Sequence, residues 1–411
     1  MKKITLFLII SLIFIHLAAA QGFRLPDRSF EIGLLNTSVN LTSDFMPLTD
    51  IFQESIVLDL DDLNDGFRLG FGVNISPIYI NINAGRWGFG IHTGLEGVGS
   101  IDLAGKMLSL DLNNSGTATS EASLAVFTTA GLSIFFHIQD FKVKLNPSVF
   151  LTLAYVRPEI IYTLDRPNTS TNDYIDIKIR AEMDIFTAYP TSILDSLNVG
   201  DILSPDAGAG FDFSFGIEYP LSQATGLKDR ARYLDFDVGL DLVNIPILPS
   251  TLTNYMNNWA EVHINLPLDS LDIDNLSTDD IIDITSGSDS IETRYKEIDR
   301  PFKAILWANW RPFGNQLLTL TPSLGFAISP HFYNNSFSLE GGLNICFDLI
   351  NLFIINAGIN YRDRMWVNSV NLAVNLWLLE VYAGVEVRSQ NILKSFSTAG
   401  LGVNLGVKLG F

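Results

Sequence analysis

Four histidines follow the first twenty residues: His92, His137, His263 and His331. None stands beside a serine or carboxylate in a pattern that would make it a general base. The chain holds no HExxH, GxSxG or CxxC. Zinc-assisted hydrolysis, a serine nucleophile on an elbow and dithiol redox chemistry therefore each lack their motif. Cys346 is the single cysteine, which excludes an internal disulfide framework and a cysteine-rich metal centre. Ten carboxylates crowd Asp269 to Asp299, and its core DIDNLSTDDIID places Asp272, Asp274, Asp280 and Asp283 at calcium-loop offsets. Leu276 stands where an oxygen ligand belongs, and Ser277 replaces the turn glycine. A solvated loop is the reading, with loose divalent-cation binding as its competitor. No catalytic residue, cofactor or metal site is expected, although a site assembled from distant strands would leave no motif.

The elements that would carry any function are set by the ends and the composition. Lys2 and Lys3, the apolar run Ile4 to Leu17 and the small residues Ala18 to Ala20 read as a cleaved signal peptide over 1–20. The run is too short for a membrane-spanning helix, which needs about 20 residues. Its two lysines leave with it, so a formal net charge of −19 becomes −21 in the mature chain. Such a surface excludes nucleic acid as a partner. Only 17% of residues are charged and the mean hydropathy is +0.25, yet no later run of 18 apolar residues appears. A hydrophobic exported chain without spanning helices points to a closed sheet, the other structure that satisfies every backbone group in hydrocarbon.

Strands of period two recur throughout. Leu124 to Ile138 and Phe141 to Tyr155 alternate clearly and are joined by Gln139 and Asp140. So do Ala207 to Tyr219, Leu234 to Leu242, Phe302 to Pro312, Leu318 to Ile328, Val370 to Leu376 and Leu379 to Val387, with a hairpin over Phe337 to Ile359. Weaker alternation marks Phe30 to Leu41, Phe67 to Ile82, Trp87 to Val98, Tyr174 to Phe186 and Val262 to Leu266. One face is oily and the other carries Gly, Ser, Thr, Asn and scattered charges. A band of ~25 Å crossed at ~40° needs about 10 residues per strand, a length these segments reach. The expectation is an all-β transmembrane antiparallel barrel of about 14 to 16 strands, with sixteen preferred. A count of fourteen would omit Phe30 to Leu41 and Val262 to Leu266. On the sixteen-strand count the tight turns near Ala84, Asp140, Gly314, Leu349 and Leu378 are periplasmic. Residues 44–65, 104–121, 222–232 and 269–300 lie outside, while 191–206 and 244–255 form long periplasmic excursions. The polar faces nominate Asn404, Lys408, Glu340, Asn344, Lys142, Lys144 and Asp212 as lumen-facing, and place the Cys346 thiol there too. Trp87, Tyr155, Trp307, Trp310, Tyr361, Trp366 and Trp377 are candidates for interfacial girdles or for ordinary packing.

The chain closes on AGLGVNLGVKLGF, Ala399 to Phe411. With Val407, Leu409 and a terminal Phe411, it resembles the assembly signal of bacterial outer-membrane barrels. The resemblance implies outer-membrane localisation and recognition of the last strand by barrel-insertion machinery; the signal peptide, the lack of spanning helices and the train of alternating strands put Leu401, Val403, Leu405, Val407 and Leu409 on lipid. The stretch GFRLGFGVNISPIYININAGRWGFGIHTGLEGVG is similar to barrels grouped loosely with long-chain fatty-acid transporters, which implies a lateral opening and an N-terminal plug; no plug motif is present to carry over. A single barrel domain over 21–411 is expected, with 44–65 and 267–300 as acidic loop segments. Its partners are the lipid bilayer and a small-molecule or lipid ligand. The function this implies is a porin or transporter-like channel for small or hydrophobic solutes. A surface adhesin or secretion-complex scaffold is the rival within the barrel class, and a soluble secreted β-protein is the rival outside it.

Overall fold

In the computed structural model the residues described are 28–43, 67–103, 116–165, 174–189, 205–267, 282–288, 292–328, 337–362, 365–389, 392, 396 and 400–411. The leader 1–20, the acidic segment 44–65, most of the calcium-like core 272–283 and His331 lie outside them. Among the described residues nineteen strands form one sheet. In chain order they are β1 (Phe30–Ser43), β2 (Phe67–Asn83), β3 (Trp87–Leu103), β4 (Gly116–Ile138), β5 (Phe141–Asp165), β6 (Tyr174–Thr187), β7 (Ala207–Gly208), β8 (Gly210–Tyr219), β9 (Asp235–Leu248) and β10 (Ser250–Pro267). The remainder are β11 (Ile282–Ser288), β12 (Glu292–Ile298), β13 (Phe302–Arg311), β14 (Leu318–Ile328), β15 (Phe337–Leu349), β16 (Phe353–Arg362), β17 (Met365–Leu376), β18 (Leu379–Ser389) and β19 (Gly400–Gly410). Two short helices, α1 (Leu221–Ala224) and α2 (Leu227–Arg230), lie between β8 and β9.

Fourteen of these strands close an antiparallel ring: β1 to β5, then β8, β9 and β13 to β19. Closure is made by β1 on β19, from Glu31 opposite Gly410 to Thr42 opposite Gly400. At its foot the Phe30 and Phe411 backbones exchange hydrogen bonds of 3.1 and 3.0 Å. The alternation read from β19 is the alternation built: Leu401, Val403, Leu405 and Leu409 are exposed on the outside, while Gly402, Asn404 and Gly406 are buried within. Among the described residues no helix is long and apolar enough to cross a membrane. A closed ring with an apolar exterior is the architecture of an outer-membrane barrel.

The ring takes the lower end of the expected strand range. The preferred sixteen, and the alternative fourteen that omitted β1, both yield to the pairing. The strands outside the ring are β6, β7 and β10 to β12, which branch from the upper half of β5. Residues 142–150 of β5 pair with β8, and residues 154–165 pair with β6. β6 then pairs with β10, and β10 with β11 and β12. The branch point leaves backbone groups that neither partner can reach, and particular residues take them up. Thr152 N–H donates to the Ser250 hydroxyl at 2.9 Å, which itself donates to the Gly208 carbonyl at 2.8 Å. The Leu153 carbonyl accepts the Ala188 N–H at 2.9 Å. Buried backbone groups demand such partners.

Removing the branch from the ring count also corrects the orientation. The tight connections 84–86, 139–140, 312–317, 350–352 and 377–378 leave from one end, as expected. Residues 220–234, with α1 and α2, are at this turn end rather than outside, because β5 starts there and pairs Lys142 with Glu218. Residues 244–255, expected as a periplasmic excursion, turn instead from β9 into the branch toward the opposite, loop end. Most of 191–206 lies outside the described residues. Part of the acidic segment expected as loop is ordered pairing: β11 and β12 both lie along β10.

Candidate functional site

The interior of the ring is the candidate site. It is polar for a reason each strand repeats: the face opposite the lipid-directed residues carries Asn, Ser, Thr, Gly and charges. These bulky inner side chains do not project toward the axis. A Cβ at Gly239 would lie 2.2 Å from the Trp307 ring, at Gly406 2.4 Å from Tyr382, at Gly33 1.9 Å from Tyr79 and at Gly210 2.4 Å from Phe150. Asn371 covers Gly384 and Asn344 covers Gly358 in the same manner. Each glycine faces its partner across adjacent strands, as Gly239 does Trp307 and Gly406 does Tyr382. Large groups thus lie against the wall, over positions without side chains.

Charges within the ring are neutralised in pairs, as burial requires. Lys408 holds Glu380 at 2.9 Å, and Arg28 reaches Asn375 at 2.9 Å beside it. Lys142 pairs with Glu218 at 2.6 Å, and Lys303 with Glu340 at 2.7 Å. Arg311 binds Asp237, with Asp235 at 3.5 Å, and Lys228 of α2 takes the other Asp235 oxygen at 2.8 Å. Trp307 Nε1 donates to Asp241 at 2.8 Å. Arg362 and Arg388 flank Glu386 at 2.9 and 2.6 Å. Tyr79 donates to Glu31 at 2.7 Å, and Tyr382 donates to Asn36 at 2.9 Å.

The residues nominated from sequence are spread around this wall rather than gathered. Asn404, 3% exposed, lies opposite Ser38 on β1 and Gly384 on β18. Asn344 exchanges amide hydrogen bonds with Asn360 at 3.3 and 3.1 Å. Lys144 rests 5.2 Å over the Phe135 ring, and Asp212 is bound by Arg300. Lys142, Lys144 and Asp212 fall near one another on β5 and β8, whereas Glu340 and Asn344 are on β15 and Asn404 and Lys408 on β19. Cys346 is buried opposite Thr319, on the inner face with Asn344. Phe411 packs against Phe30 with tilted rings 5.8 Å apart, and Val407 and Leu409 lie above it on the outer face.

Two aromatic assignments need correction. Tyr155 is 2% exposed and Trp307 7% exposed, both inside, so neither belongs to an interfacial girdle. Parity decides it: Tyr155 is paired with the inward Ala125, and Trp307 with the inward Gly239. Trp87 and Trp377 are exposed at the turn end, and Trp310 stacks on Phe236 from the outer face. Tyr361 packs on Trp366 at 5.2 Å toward the loop end.

The sequence reading missed an apolar cluster where the branch joins the ring. Phe127, Phe150, Tyr155, Phe186, Leu252, Tyr255 and Ile298 are buried together, with Ala125 and Ala188. Cations cover its aromatic rings: Arg294 lies 4.3 Å over Tyr255, Lys296 5.6 Å over Tyr155 and Arg300 5.9 Å over Phe150. The signal in sequence was an aromatic on the otherwise polar parity of two adjacent strands, Phe127 and Phe150. Among the described residues no group of three or more His, Cys, Asp or Glu side chains could hold a metal.

No protein-family model matches the chain, and no curated protein matches it. Among solved structures it is similar to the toluene transporter TodX of Pseudomonas putida, at 9% identity and a TM-score of 0.44, over 93% of this chain and 89% of that one. It is similar to the toluene transporter TbuX of Ralstonia pickettii at 9% identity and TM-score 0.44, over 93% and 90%. The translocator domain of the autotransporter NalP from Neisseria meningitidis matches at 9% identity and TM-score 0.33, over 100% and 97%.

Proposed function

We propose that the chain is an outer-membrane channel for small solutes, hydrophobic ones included. The observation that carries this reading is the wall itself: a closed ring with a polar inner face, on which Trp307, Tyr382 and Tyr79 lie over facing glycines. The polar inner face, with Asn404, Lys408, Glu340, Asn344, Lys142, Lys144 and Asp212, would set what passes. Acidic external segments would disfavour anions. Val407, Leu409 and Phe411 are assigned to recognition by the insertion machinery; unchanged assembly in cells after deletion of Phe411 would overturn that assignment.

The test uses purified protein whose folded state is verified by heat-modifiable migration on gels. Reconstituted in planar bilayers it should conduct potassium chloride, or in vesicles admit a neutral hydrophobic dye such as N-phenyl-1-naphthylamine. A folded protein that does neither would favour the scaffold or adhesin reading. The specific observation behind that second reading is the branch sheet of β6 and β10 to β12, which stands at the loop end outside the ring.

A further inference from the structure

The apolar cluster and the polar lumen meet at one guanidinium. Arg300 sits in the connection between β12 and β13. Its Nη1 donates to Asp212 on β8 at 2.8 Å, while Nη2 and Nε donate to Glu96 on β3 at 2.9 and 3.2 Å. Along the wall β3 and β8 are separated by β4 and β5, three steps of about 4.8 Å each. One side chain nonetheless holds a carboxylate from both. Arg300 therefore runs as a short chord over the inner faces of β4 and β5, across three of the ring's fourteen strand steps.

The height of that chord gives it a role. Glu96 lies opposite Phe127, and Asp212 opposite Ser148. Phe127 and Ser148 are thus level with the two carboxylates; along β5, Phe150 of the cluster follows on the loop side, and Asn146 and Lys144 lie on the turn side. The Arg300 and Asp212 side chains are 13% and 2% exposed. Asn244 donates to the Pro301 carbonyl at 3.1 Å and fastens the residue that follows. Two carboxylates on one guanidinium make a pair fixed in geometry, whereas the desolvation of buried charges leaves its net stability small.

We propose that Arg300 gates this channel: paired with Glu96 and Asp212 it closes the passage between the buried aromatic cluster and the polar lumen, and an entering solute opens it by displacing residues 299–301. The inference rests on the channel reading. Full-length reconstituted protein tests it, with potassium chloride conductance and N-phenyl-1-naphthylamine uptake as readouts. Arg300→Ala should raise conductance about tenfold, and Arg300→Lys less, because an ammonium still holds one carboxylate although it does not span two as a guanidinium fork does. Asp212→Asn and Glu96→Gln should give intermediate increases; both keep the arginine and carry the test if Arg300→Ala does not fold. A wild type that conducts weakly, with variants that conduct several-fold to tenfold more, supports the gate. A conducting wild type with folded variants indistinguishable from it overturns the gate and leaves the channel standing. Silence of every protein toward both salt and dye overturns both.

Discussion

Trp307 and Gly239 face each other on β13 and β9, and the pair shows how a single residue shapes the interior. The indole lies over the glycine and donates to Asp241 two residues further along the same strand. Gly239→Val would drive a side chain into the ring plane, forcing the indole off the wall and breaking its hydrogen bond. Overpacking of this kind costs about 1–3 kcal/mol. A lowered urea midpoint with a red-shifted tryptophan emission would be the expected result, and an unchanged midpoint would show that the ring does not lie there. On the opposite face Val403 is 39% exposed toward lipid. Val403→Arg should cost about 2–4 kcal/mol if it lies near the bilayer midplane, while Asn404→Ser stays mild. Equal tolerance in vesicle refolding titrations would contradict the facing. This much was legible, because alternation along one strand assigns its two faces. The Trp307–Gly239 contact was not, since it depends on cross-strand register. Arg300 escaped for a related reason: it ends an acidic stretch that one-dimensional reading can only treat as loop.

At the scale of elements, the long alternating runs were readable and their partners were not. β4 and β5 announced themselves by apolar residues at every second position, and their two-residue connection fixed them as neighbours. Nothing in β5 alone says that its lower half pairs with β8 and its upper half with β6. The change of partner depends on a bulge at Leu153 and on Ser250, which comes nearly a hundred residues later. β6 and β10 alternate as ring strands do, so a count by periodicity admits them. The misplacement of 220–234 and 244–255 followed from that count alone. Ser250 is the residue on which the branch turns. Ser250→Ala would leave the Thr152 N–H buried without a partner and untie the exposed Gly208, at a cost of about 1–3 kcal/mol. Amide hydrogen exchange should quicken in β6, β7 and the start of β10, while β14 to β18 keep their protection. Uniform exchange across both regions would mean that Ser250 does not hold the junction.

The whole molecule then divides into a ring secured by closure and lipid and a branch secured by its own side chains. In the branch, Glu261 of β10 is held by Lys178 of β6 at 3.0 Å and approached by Arg180 at 3.6 Å. His263 pairs with Asp176 next to it, and Glu182 engages Arg180. The hydrogen bond from Lys178, reinforced by the charges of Lys178, Arg180 and His263, holds the Glu261 carboxyl below the usual carboxylate range. A carboxylate depressed on folding contributes stability above its unfolded pKa and loses that contribution as pH falls through the folded value. The β6–β10 pairing should therefore hold from neutral pH down to about 5 and weaken only in more acid solution. Exposure and salt screening make the effect modest. Hydrogen exchange at pH 7, 5 and 3, corrected for intrinsic rates, should show loss of protection at pH 3 in β6 and β10 ahead of β16 to β18, and Glu261→Gln should remove part of that pH dependence. Equal protection of the branch at pH 3 and pH 7 would show that these ion pairs do not hold it, and would leave the branch resting on the aromatic cluster at its base.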